Sequence, residues 1–407
     1  MLARHQGRVV LVSGAIPGEL VSARLERVTG AVAFADALGV DRASGDRRGD
    51  GIDVRCGGCA FAHIAYERQL GLKQEIVQDA FSRIARAPMP GRPAIVRAPE
   101  QGYRMRARLH TAAGRLGFFR EGTHEICDAG STGQLAPATL EWISRASEVL
   151  RARRLEGLAG VEIAETIAGD VRVSHLDLHQ GADAEPFRAL ADGLSGLSAQ
   201  AENRGEVVVL AGTPYVADVI TVATSGEGPG TTLRRNVRAF FQSNRYLVEA
   251  LARHVSTLVP DGPVVDLYAG VGLFGLTLAA RGASAVTLVE GDTVSGTDLE
   301  TNAEPYAQAG VERQSIEAFV AARGFPRLAG EATVIVDPPR TGLSKPVLQS
   351  IVRAAPPRLV YVSCDPATLA RDSRGLLDGG YEIADTTLFD MFPNTAHIES
   401  VVSFVRN

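Results

Sequence analysis

Residues 263–275 read PVVDLYAGVGLFG, an apolar stretch that runs directly into a turn containing Gly270, Gly272 and Gly275. Its β-branched residues predict a strand that is buried on both faces, and the turn leads into a helical pattern. Later strand-like runs are separated by further helical patterns: AVTLV, TVIV, RLVYVS and SVVSFV. Strands that alternate with helices predict an α/β fold with a doubly wound, mainly parallel sheet.

Two acidic residues follow the glycine turn at the positions where cofactor contacts are expected. Glu290 ends the next strand pattern, where a carboxylate can hold a ribose hydroxyl. Asp337 opens the motif DPPR, whose prolines fix the backbone beside the cofactor. A dinucleotide site needs the glycine turn and the acidic residue but not the DPPR motif. The combination therefore favours an S-adenosylmethionine site in a class I, Rossmann-like methyltransferase domain.

Arg340 completes the DPPR motif. In methyltransferases that modify amino groups, the corresponding loop generally continues with an aromatic residue that stacks on the base. The arginine therefore favours an acceptor atom other than nitrogen.

Cys364 lies at the expected end of a parallel strand, in YVSCDPATLARD (361–372). Ligands bind at that edge of an open α/β sheet, although a cysteine without context is more often a small buried thiol. Methylation of a pyrimidine at C5 needs a thiolate that adds to C6 and a separate base that removes the C5 proton. His397 and Glu399, just before the last strand, supply candidate bases. The alternatives are a packing histidine and a solvated glutamate.

The chain has 407 residues, a formal net charge of −5 and a pI near 6.0. The length predicts two or three domains. No apolar run reaches the roughly 18 residues of a membrane span, and we expect a soluble, cytoplasmic monomer. The overall charge does not favour nucleic-acid binding, but local basic faces could provide it, the alternative being solvated arginine faces. The candidate arginines are Arg104, Arg106 and Arg108; Arg151, Arg153 and Arg154; and Arg234, Arg235 and Arg238.

The remaining cysteines suggest a metal site. Cys56 and Cys59 form a C-x-x-C with two glycines inside, which allows both sulfurs to face one centre, and Cys127 would add a third thiolate from a distant loop. A redox dithiol, a zinc site and an iron–sulfur site all fit the C-x-x-C. Three thiolates on loops favour an iron–sulfur cluster, while His63 and His124 leave a zinc site as the alternative.

The organisation of the chain predicts three domains. Residues 1–47 show short strands between glycine turns, and 7–25 resemble the later part of a TRAM domain, so we expect a partial oligonucleotide-binding-type (OB-like) β-barrel. Residues 48–235 form a central α+β domain with the cysteine loop and a helical pattern over 65–97, which Pro88 and Pro90 end and which we expect to pack on the catalytic domain. Residues 236–407 form the methyltransferase domain.

Five motifs near the carboxyl terminus, in this order, resemble the RNA 5-methyluridine methyltransferase family, and most closely its iron–sulfur-containing 23S rRNA members. They are FFQSN (240–244), DLYAGVGLFG (266–275), DPPRTGL (337–343), YVSCDPATLARD (361–372) and DMFPNTAHIES (390–400). The resemblance implies S-adenosylmethionine-dependent methylation of uridine C5 in RNA, with Cys364 as nucleophile and Glu399 as proton-abstracting base. The positions that bind the methyl donor match Gln242, Tyr268, Glu290 and Asp337, beside Gly270 of the glycine turn.

The resemblance also implies that Cys56, Cys59 and Cys127 match three of the four cysteines that hold a [4Fe–4S] cluster in family members acting on 23S ribosomal RNA. Members acting on transfer RNA generally lack the cluster, so a ribosomal target is favoured and transfer RNA is the alternative. The family's first cluster cysteine corresponds to Asp50 here, so a cluster would take Asp50, Asp53 or an external ligand as its fourth ligand, or would keep an open site at one iron.

Two other functions remain open at this point. A methyltransferase acting on an amino nitrogen or a small molecule would share the glycine turn and Glu290, but it would not need Cys364. A non-enzymatic RNA-binding iron–sulfur protein would share the barrel and the cysteines, and it would not bind the methyl donor.

Overall fold

The computed structural model describes residues 1–49, 53–89, 91–201, 205–222 and 230–406. Its first four strands form one sheet in the order β1-β2-β4-β3. The strands are β1 (Leu2–His5), β2 (Arg8–Ser13), β3 (Leu20–Thr29) and β4 (Val32–Arg42). Among the described strands this is the order of an open sheet with β1 and β3 at its ends. The barrel expected for 1–47 therefore remains a prediction.

The central region is built on a second sheet, in the order β12-β11-β10-β9-β6-β7-β8. Its strands are β6 (Arg106–Ala112), β7 (Arg115–Phe119), β8 (Ile126–Cys127), β9 (Leu158–Glu165), β10 (Arg172–Leu178), β11 (Gly196–Ala201) and β12 (Val208–Gly212). One helix, α2 (Pro137–Ala152), packs on this sheet through the buried Trp142 and Leu150. A separate hairpin, β13 (Tyr215–Thr221) with β14 (Gly230–Asn236), leads to the last region.

The last region contains an eight-stranded sheet in the order β17-β16-β15-β18-β19-β21-β20-β5. Its strands are β5 (Ala94–Val96), β15 (Pro263–Leu267), β16 (Ala285–Val289), β17 (Ala309–Glu312), β18 (Thr333–Val336), β19 (Arg358–Ser363), β20 (Tyr381–Phe389) and β21 (Glu399–Arg406). The five strands from β17 to β19 are parallel, whereas β21 runs antiparallel to both of its neighbours. The α/β fold predicted from 263–275 is confirmed.

Helices cover both faces of the eight-stranded sheet, because successive residues of its strands point to opposite sides. Val264 belongs to the core shared with α3 and α4, whereas Val265 belongs to the core shared with α1, α8 and α9. The helices are α1 (Tyr66–Ala80), α3 (Val248–Leu258), α4 (Leu273–Ala280), α5 (Thr293–Ala303), α6 (Ile316–Ala321), α7 (Phe325–Gly330), α8 (Lys345–Ala354) and α9 (Pro366–Asp378). Burial on both faces explains the unbroken apolar runs that the sequence shows.

The segment 65–97 differs from the single helix expected there. α1 continues into a π-helical turn, Phe81–Ala85, and the helix ends because Arg86 adopts a left-handed conformation with φ of 53°. The chain then forms β5, which pairs with β20 and completes the eight-stranded sheet. A segment from the first quarter of the chain thus belongs to the sheet of the last region. None of the helices in the described residues is long and apolar enough to cross a membrane.

Candidate active site

One edge of the eight-stranded sheet carries most of the residues singled out in the sequence. Glu290, Tyr268, Asp337 and Cys364 are each the first residue after the last residue of β16, β15, β18 and β19, which are neighbours in that order. The carboxyl ends of parallel strands meet at one edge, and the strand order reverses beside β15, where α/β sheets bind ligands. The four side chains therefore line a single site.

Cys364 and Glu399 lie opposite each other across two antiparallel strands. The last pair of the β19–β21 ladder is Ser363 with Ser400, so the next position places Cys364 beside Glu399. Residues opposite each other in an antiparallel pair have Cα atoms about 4.5–5.5 Å apart. Cys364 is half-buried and Glu399 is buried. The sulfur and the carboxyl group therefore lie at the same end of the two strands, where the charge of Glu399 acts on the thiol, and the sulfur remains partly accessible.

The turn after Cys364 is fixed by the start of α9. The Asp365 side chain caps the helix by accepting hydrogen bonds from the backbone N–H groups of Ala367 at 3.0 Å and Thr368 at 2.8 Å. Pro366 occupies the first helical position, where its missing N–H costs nothing. The local sequence CDPAT thus sets the backbone that presents the sulfur.

The charged residues around Cys364 have opposite effects on the pKa of its thiol. Burial raises the pKa of the Cys364 thiol to about 11, the charges of Glu399 and Asp337 add to the rise, and the Arg340 guanidinium lowers it. Burial also raises the pKa of Glu399 well above its ordinary value, with Asp337 adding to this rise and Arg340 opposing it. Arg340 is thus the nearby cation that favours both the thiolate and the carboxylate.

The predicted cofactor residues are joined by hydrogen bonds. The backbone N–H of Gly270 donates to Glu290 Oε2 at 2.8 Å, and Gly270 has a φ of 57°. The Gln242 side-chain amide donates to Asp337 Oδ2 at 3.3 Å. Tyr268 also has a positive φ, 64°, which is uncommon for a residue with a side chain and often marks a binding site. Hydrogen bonds thus join two of these pairs, Gly270 with Glu290 and Gln242 with Asp337, and we refer to Gln242, Tyr268, Gly270, Glu290 and Asp337 together as the cradle.

A third carboxyl group, Asp266, lies beneath this cradle. One of its oxygens accepts a hydrogen bond from Gly275 N at 2.8 Å, and the other is buried without a hydrogen-bond partner among the described residues. Burial raises the pKa of Asp266 to about 8 and that of Asp337 to about 7, and it also raises the pKa of Glu290. Asp266, Glu290 and Asp337 thus lie close together, and a positively charged ligand would complement their carboxyl groups. The cradle therefore fits the sulfonium and ammonium groups of S-adenosylmethionine.

A cavity of about 760 Å³ opens beside the cradle. Its lining includes Tyr268, Pro339, Gly342 and Arg371, between the loop after β18 and the helices α8 and α9. Only Tyr268 is shared with the predicted cofactor residues. No sequence pattern indicates this cavity, because its walls come from separate segments of the chain.

A profile of the family described as tRNA (uracil-5-)-methyltransferase matches residues 65–407. The chain belongs to the tRNA (uracil-5-)-methyltransferase family. The resemblance seen in the five motifs is thereby confirmed, and the chain is assigned to S-adenosylmethionine-dependent methyltransferases of RNA.

Known members of the uracil-5-methyltransferase family match this chain over nearly its whole length. A 23S rRNA (uracil(1939)-C(5))-methyltransferase from Pseudomonas entomophila is 32% identical over 425 residues, covering 99% of this chain and 90% of that protein. An uncharacterised RNA methyltransferase from Thermosynechococcus vestitus is 30% identical, covering 98% and 94%. The crystal structure of the Pyrococcus abyssi tRNA (uracil-54, C5)-methyltransferase with S-adenosyl-L-homocysteine has a TM-score of 0.77 and 27% identity, covering 97% and 95%.

The three remaining cysteines do not form the arrangement expected for a complete cluster site. Cys56 and Cys127 are joined by a disulfide with a Cα–Cα distance of 5.8 Å, while Cys59 is a free, buried thiol. Burial raises the pKa of Cys59 to about 11, and the charge of Asp53 adds to this rise. The described part of the chain contains no group of three His, Cys, Asp or Glu side chains able to hold a metal ion. Asp50 lies outside the described residues.

The arginine clusters differ in their freedom to bind phosphate. Arg235 is buried and forms an ion pair with Asp218, so the expectation that it grips RNA is wrong. Arg106 and Arg108 share Glu162 as an ion-pair partner and keep part of their surface exposed. The end of α2 and the residues after it instead present exposed arginines: Arg151, Arg153 and Arg154.

Sequence reasoning missed two buried ionisable side chains near the predicted site residues, Asp266 and Lys73. Asp266 lies inside the quoted stretch, and its acidic character within an apolar strand was the available indication. A buried lysine on α1, Lys73, contacts Asp390 of the DMFP motif, and no local pattern connects them. His397, proposed as an alternative base, is exposed, and its backbone N–H donates to Thr395.

Proposed function

We propose that the protein transfers a methyl group from S-adenosylmethionine to C5 of a uridine in RNA, with Cys364 as the nucleophile and Glu399 as the base. The observation that carries this proposal is the register between β19 and β21, whose last pair, Ser363 with Ser400, lies one residue before Cys364 and one residue after Glu399. A second support is the cradle of Gln242, Tyr268, Gly270, Glu290 and Asp337 at the same edge. We infer that the cradle holds the methyl donor.

The proposed reaction begins with addition. The Cys364 thiolate attacks C6 of the uracil, an S–C6 bond forms, and the electron pair of the C5–C6 bond moves toward O4, which makes C5 nucleophilic. The methyl donor supplies an electrophilic methyl group, which C5 accepts as S-adenosylhomocysteine leaves. Since addition needs the thiolate, Arg340 assists this step by lowering the pKa of Cys364.

The second half of the reaction is an elimination. The Glu399 carboxylate takes the proton from C5, the C5–C6 double bond re-forms, and the Cys364 thiolate leaves C6. A buried carboxylate with a raised pKa is a stronger base than an ordinary one, which suits the removal of a proton from carbon. Uridine must reach this pocket unstacked, so the target is flipped out of its RNA.

The test of this proposal separates the two halves of the reaction. Glu399→Gln should still add, methylate and then stall, so that a methylated covalent complex of protein and RNA accumulates and survives denaturing gel electrophoresis. RNA carrying the target uridine is incubated with methyl-labelled S-adenosylmethionine, and label is followed in the protein–RNA band. Cys364→Ala serves as the control and should give no band. Normal turnover by Glu399→Gln, without a trapped complex, would contradict the proposed base.

For the substrate, we propose 23S ribosomal RNA, with transfer RNA as the second candidate. The first is supported by the Pseudomonas relative, whose name specifies 23S rRNA. The second is supported by the Pyrococcus structure, whose title specifies transfer RNA. Mapping of 5-methyluridine by mass spectrometry in ribosomal and transfer RNA decides between them, comparing a deletion strain with the same strain carrying the wild-type chain or Cys364→Ala.

We propose further that the reduced protein binds a [4Fe–4S] cluster through Cys56, Cys59 and Cys127, with one more ligand from outside the described residues. Support comes from the shared buried apolar core of the three side chains and from the cysteine spacing. The described residues alone do not complete the ligand set. Iron and sulfide analysis after anaerobic purification tests the cluster, and intact-mass analysis under air tests the disulfide.

The N-terminal sheet is proposed to contact RNA that flanks the target, as a reduced OB-like, TRAM-type module. Its support is the pattern of 7–25 and the exposure of Arg24 and Arg27 on β3. Contacts of this kind are expected to weaken as salt is raised.

A further inference from the structure

The segment that delivers Glu399 to the active-site edge is an irregular turn, residues 390–398, buried except around Ala396 and His397, which we name the base turn. It joins the end of β20 to the start of β21. Phe389, the last residue of β20, is the cross-strand partner of Glu399. A displacement of the base turn at Asp390 therefore moves the backbone that carries the base.

A buried ion pair holds the beginning of the base turn. Lys73 Nζ on α1 lies 2.5 Å from Asp390 Oδ1, both side chains are 0% exposed, and Nζ also donates to the Phe392 carbonyl at 3.0 Å. Burial lowers the pKa of Lys73, and the charge of Asp390 opposes that change. Buried ion pairs contribute little net stability, because desolvation of two charges offsets their attraction, whereas removing one partner is strongly unfavourable. Fixing geometry is the better-supported role for such a pair.

A second residue of α1, one turn earlier, holds the middle of the base turn. Gln69 Nε2 donates to Asn394 Oδ1 at 2.9 Å, and the backbone N–H of Asn394 donates to Gln69 Oε1 at 2.9 Å. Asn394 has a φ of 65°, a conformation that needs support from its surroundings. Gln69 and Lys73 lie four residues apart on one face of α1, so a single helix face contacts the beginning and the middle of the irregular segment.

The carbonyls of the base turn also find donors outside it. These hydrogen bonds are Asn244 Nδ2 to the Met391 carbonyl at 3.0 Å, Tyr103 Oη to the Pro393 carbonyl at 3.4 Å and the Phe61 backbone N–H to the Asn394 carbonyl at 2.8 Å. With Lys73 on the Phe392 carbonyl, the turn is bonded through four successive carbonyls to three other parts of the chain. Only the ion pair among these contacts places two charges in the interior.

We propose that Lys73, acting through Asp390, is a positioning residue for Glu399 and controls the elimination that releases methylated RNA. The inference rests on the proposed function and extends it to a residue on a helix outside 236–407. Addition and methyl transfer depend on Cys364, whose position is set by β19 and α9. Only the removal of the C5 proton depends on the base turn. Loss of Lys73 should therefore slow one step and spare the earlier ones.

The test uses the full chain with Lys73→Met, which keeps the side-chain length and removes the charge. We expect the methylated protein–RNA complex to accumulate, with kcat reduced roughly 10- to 100-fold, since a displacement of about 1 Å of a catalytic group costs this much. KM for RNA should fall together with kcat, and kcat/KM should change less than about threefold, because the slowed elimination follows the irreversible methyl transfer. Lys73→Arg, which restores a cation, should recover part of kcat and reduce the trapped complex.

Two further variants separate positioning from a general loss of stability. Gln69→Met removes both hydrogen bonds to Asn394 without burying an unpaired charge, and it should also trap the complex, even if Lys73→Met fails to fold. Arg172→Met removes a buried arginine of the central region. Its partner Glu165 still has an ion pair with Arg245, so the variant should lower the melting temperature without trapping the protein–RNA complex.

A trapped complex in Glu399→Gln but in neither Lys73→Met nor Gln69→Met overturns the inference alone. Equal trapping in Arg172→Met does the same, because it would make the effect a consequence of lower stability. No trapped complex in Glu399→Gln would overturn the proposed role of the base, and the inference with it.

Discussion

Two regions of the molecule contain cysteines in contrasting settings. Cys364 and Cys59 both have a pKa raised to about 11 by burial, yet their remaining neighbours differ. Cys364 is half-buried beside Arg340, whereas Cys59 is buried beside Asp53 and close in sequence to the Cys56–Cys127 disulfide. A raised pKa therefore does not distinguish the proposed nucleophile, Cys364, from the proposed cluster ligand, Cys59. Accessibility and a nearby cation make the distinction, because only a thiolate that can reach substrate reacts.

The largest expected effect contrasts these two cysteines directly. Cys364→Ala should reduce methylation by at least about a thousandfold, since the uracil ring is not activated without the thiolate. Cys59→Ala should keep the rate per folded molecule within about threefold. Single-turnover methylation, normalised to the fraction that binds a methyl-donor analogue, measures both. A comparable loss in the two variants would remove the contrast between the regions.

A smaller effect concerns the link between Cys56 and Cys127. The bonded cysteines are 71 residues apart in sequence, so Cys127→Ser in the oxidised protein should lower the free energy of unfolding by about 4 kcal/mol. The rate of methylation at 20 °C should stay unchanged. Urea unfolding with and without reductant measures the stability, and reductant should bring the wild type to the level of Cys127→Ser. If methylation falls in parallel with stability, the two regions are coupled.

The smallest effect sharpens the role of Arg340. Arg340→Met should raise the pKa of Cys364 further, and its alkylation by iodoacetamide at pH 8 should slow by roughly tenfold, about one pKa unit. In the wild type, alkylation of Cys364 should accelerate as pH rises toward 11, because the thiolate fraction grows. Cys59 serves as the internal control in the same mass spectra, since Arg340 does not contribute to its pKa.

The sequence predicted the active-site edge because its signals are local. Each of Glu290, Asp337 and Cys364 directly follows an apolar run, and strand ends are readable from such runs. The Asp365–Pro366 pair likewise marks the start of α9. These features need no knowledge of distant contacts.

Other features depend on contacts that sequence alone does not contain. Lys73 and Asp390 meet although 317 residues separate them, and nothing near either residue marks the partner. Arg235 belongs to an arginine-rich stretch that looks solvated, yet it is buried against Asp218. The helix expected over 65–97 stops at Ala85 because Arg86 takes a left-handed conformation, after which tertiary pairing recruits β5.

The pairing of β5 with β20 has a consequence for biosynthesis. The ribosome makes β5 early, and its neighbour in the sheet emerges only near the end of translation, so the outer strand must wait for most of the polypeptide to be synthesised. Such distant pairings slow folding and leave an unpaired strand edge open to aggregation in the meantime. A fragment that starts at residue 236 would lack this strand as well as α1, and it should fold poorly as an isolated domain.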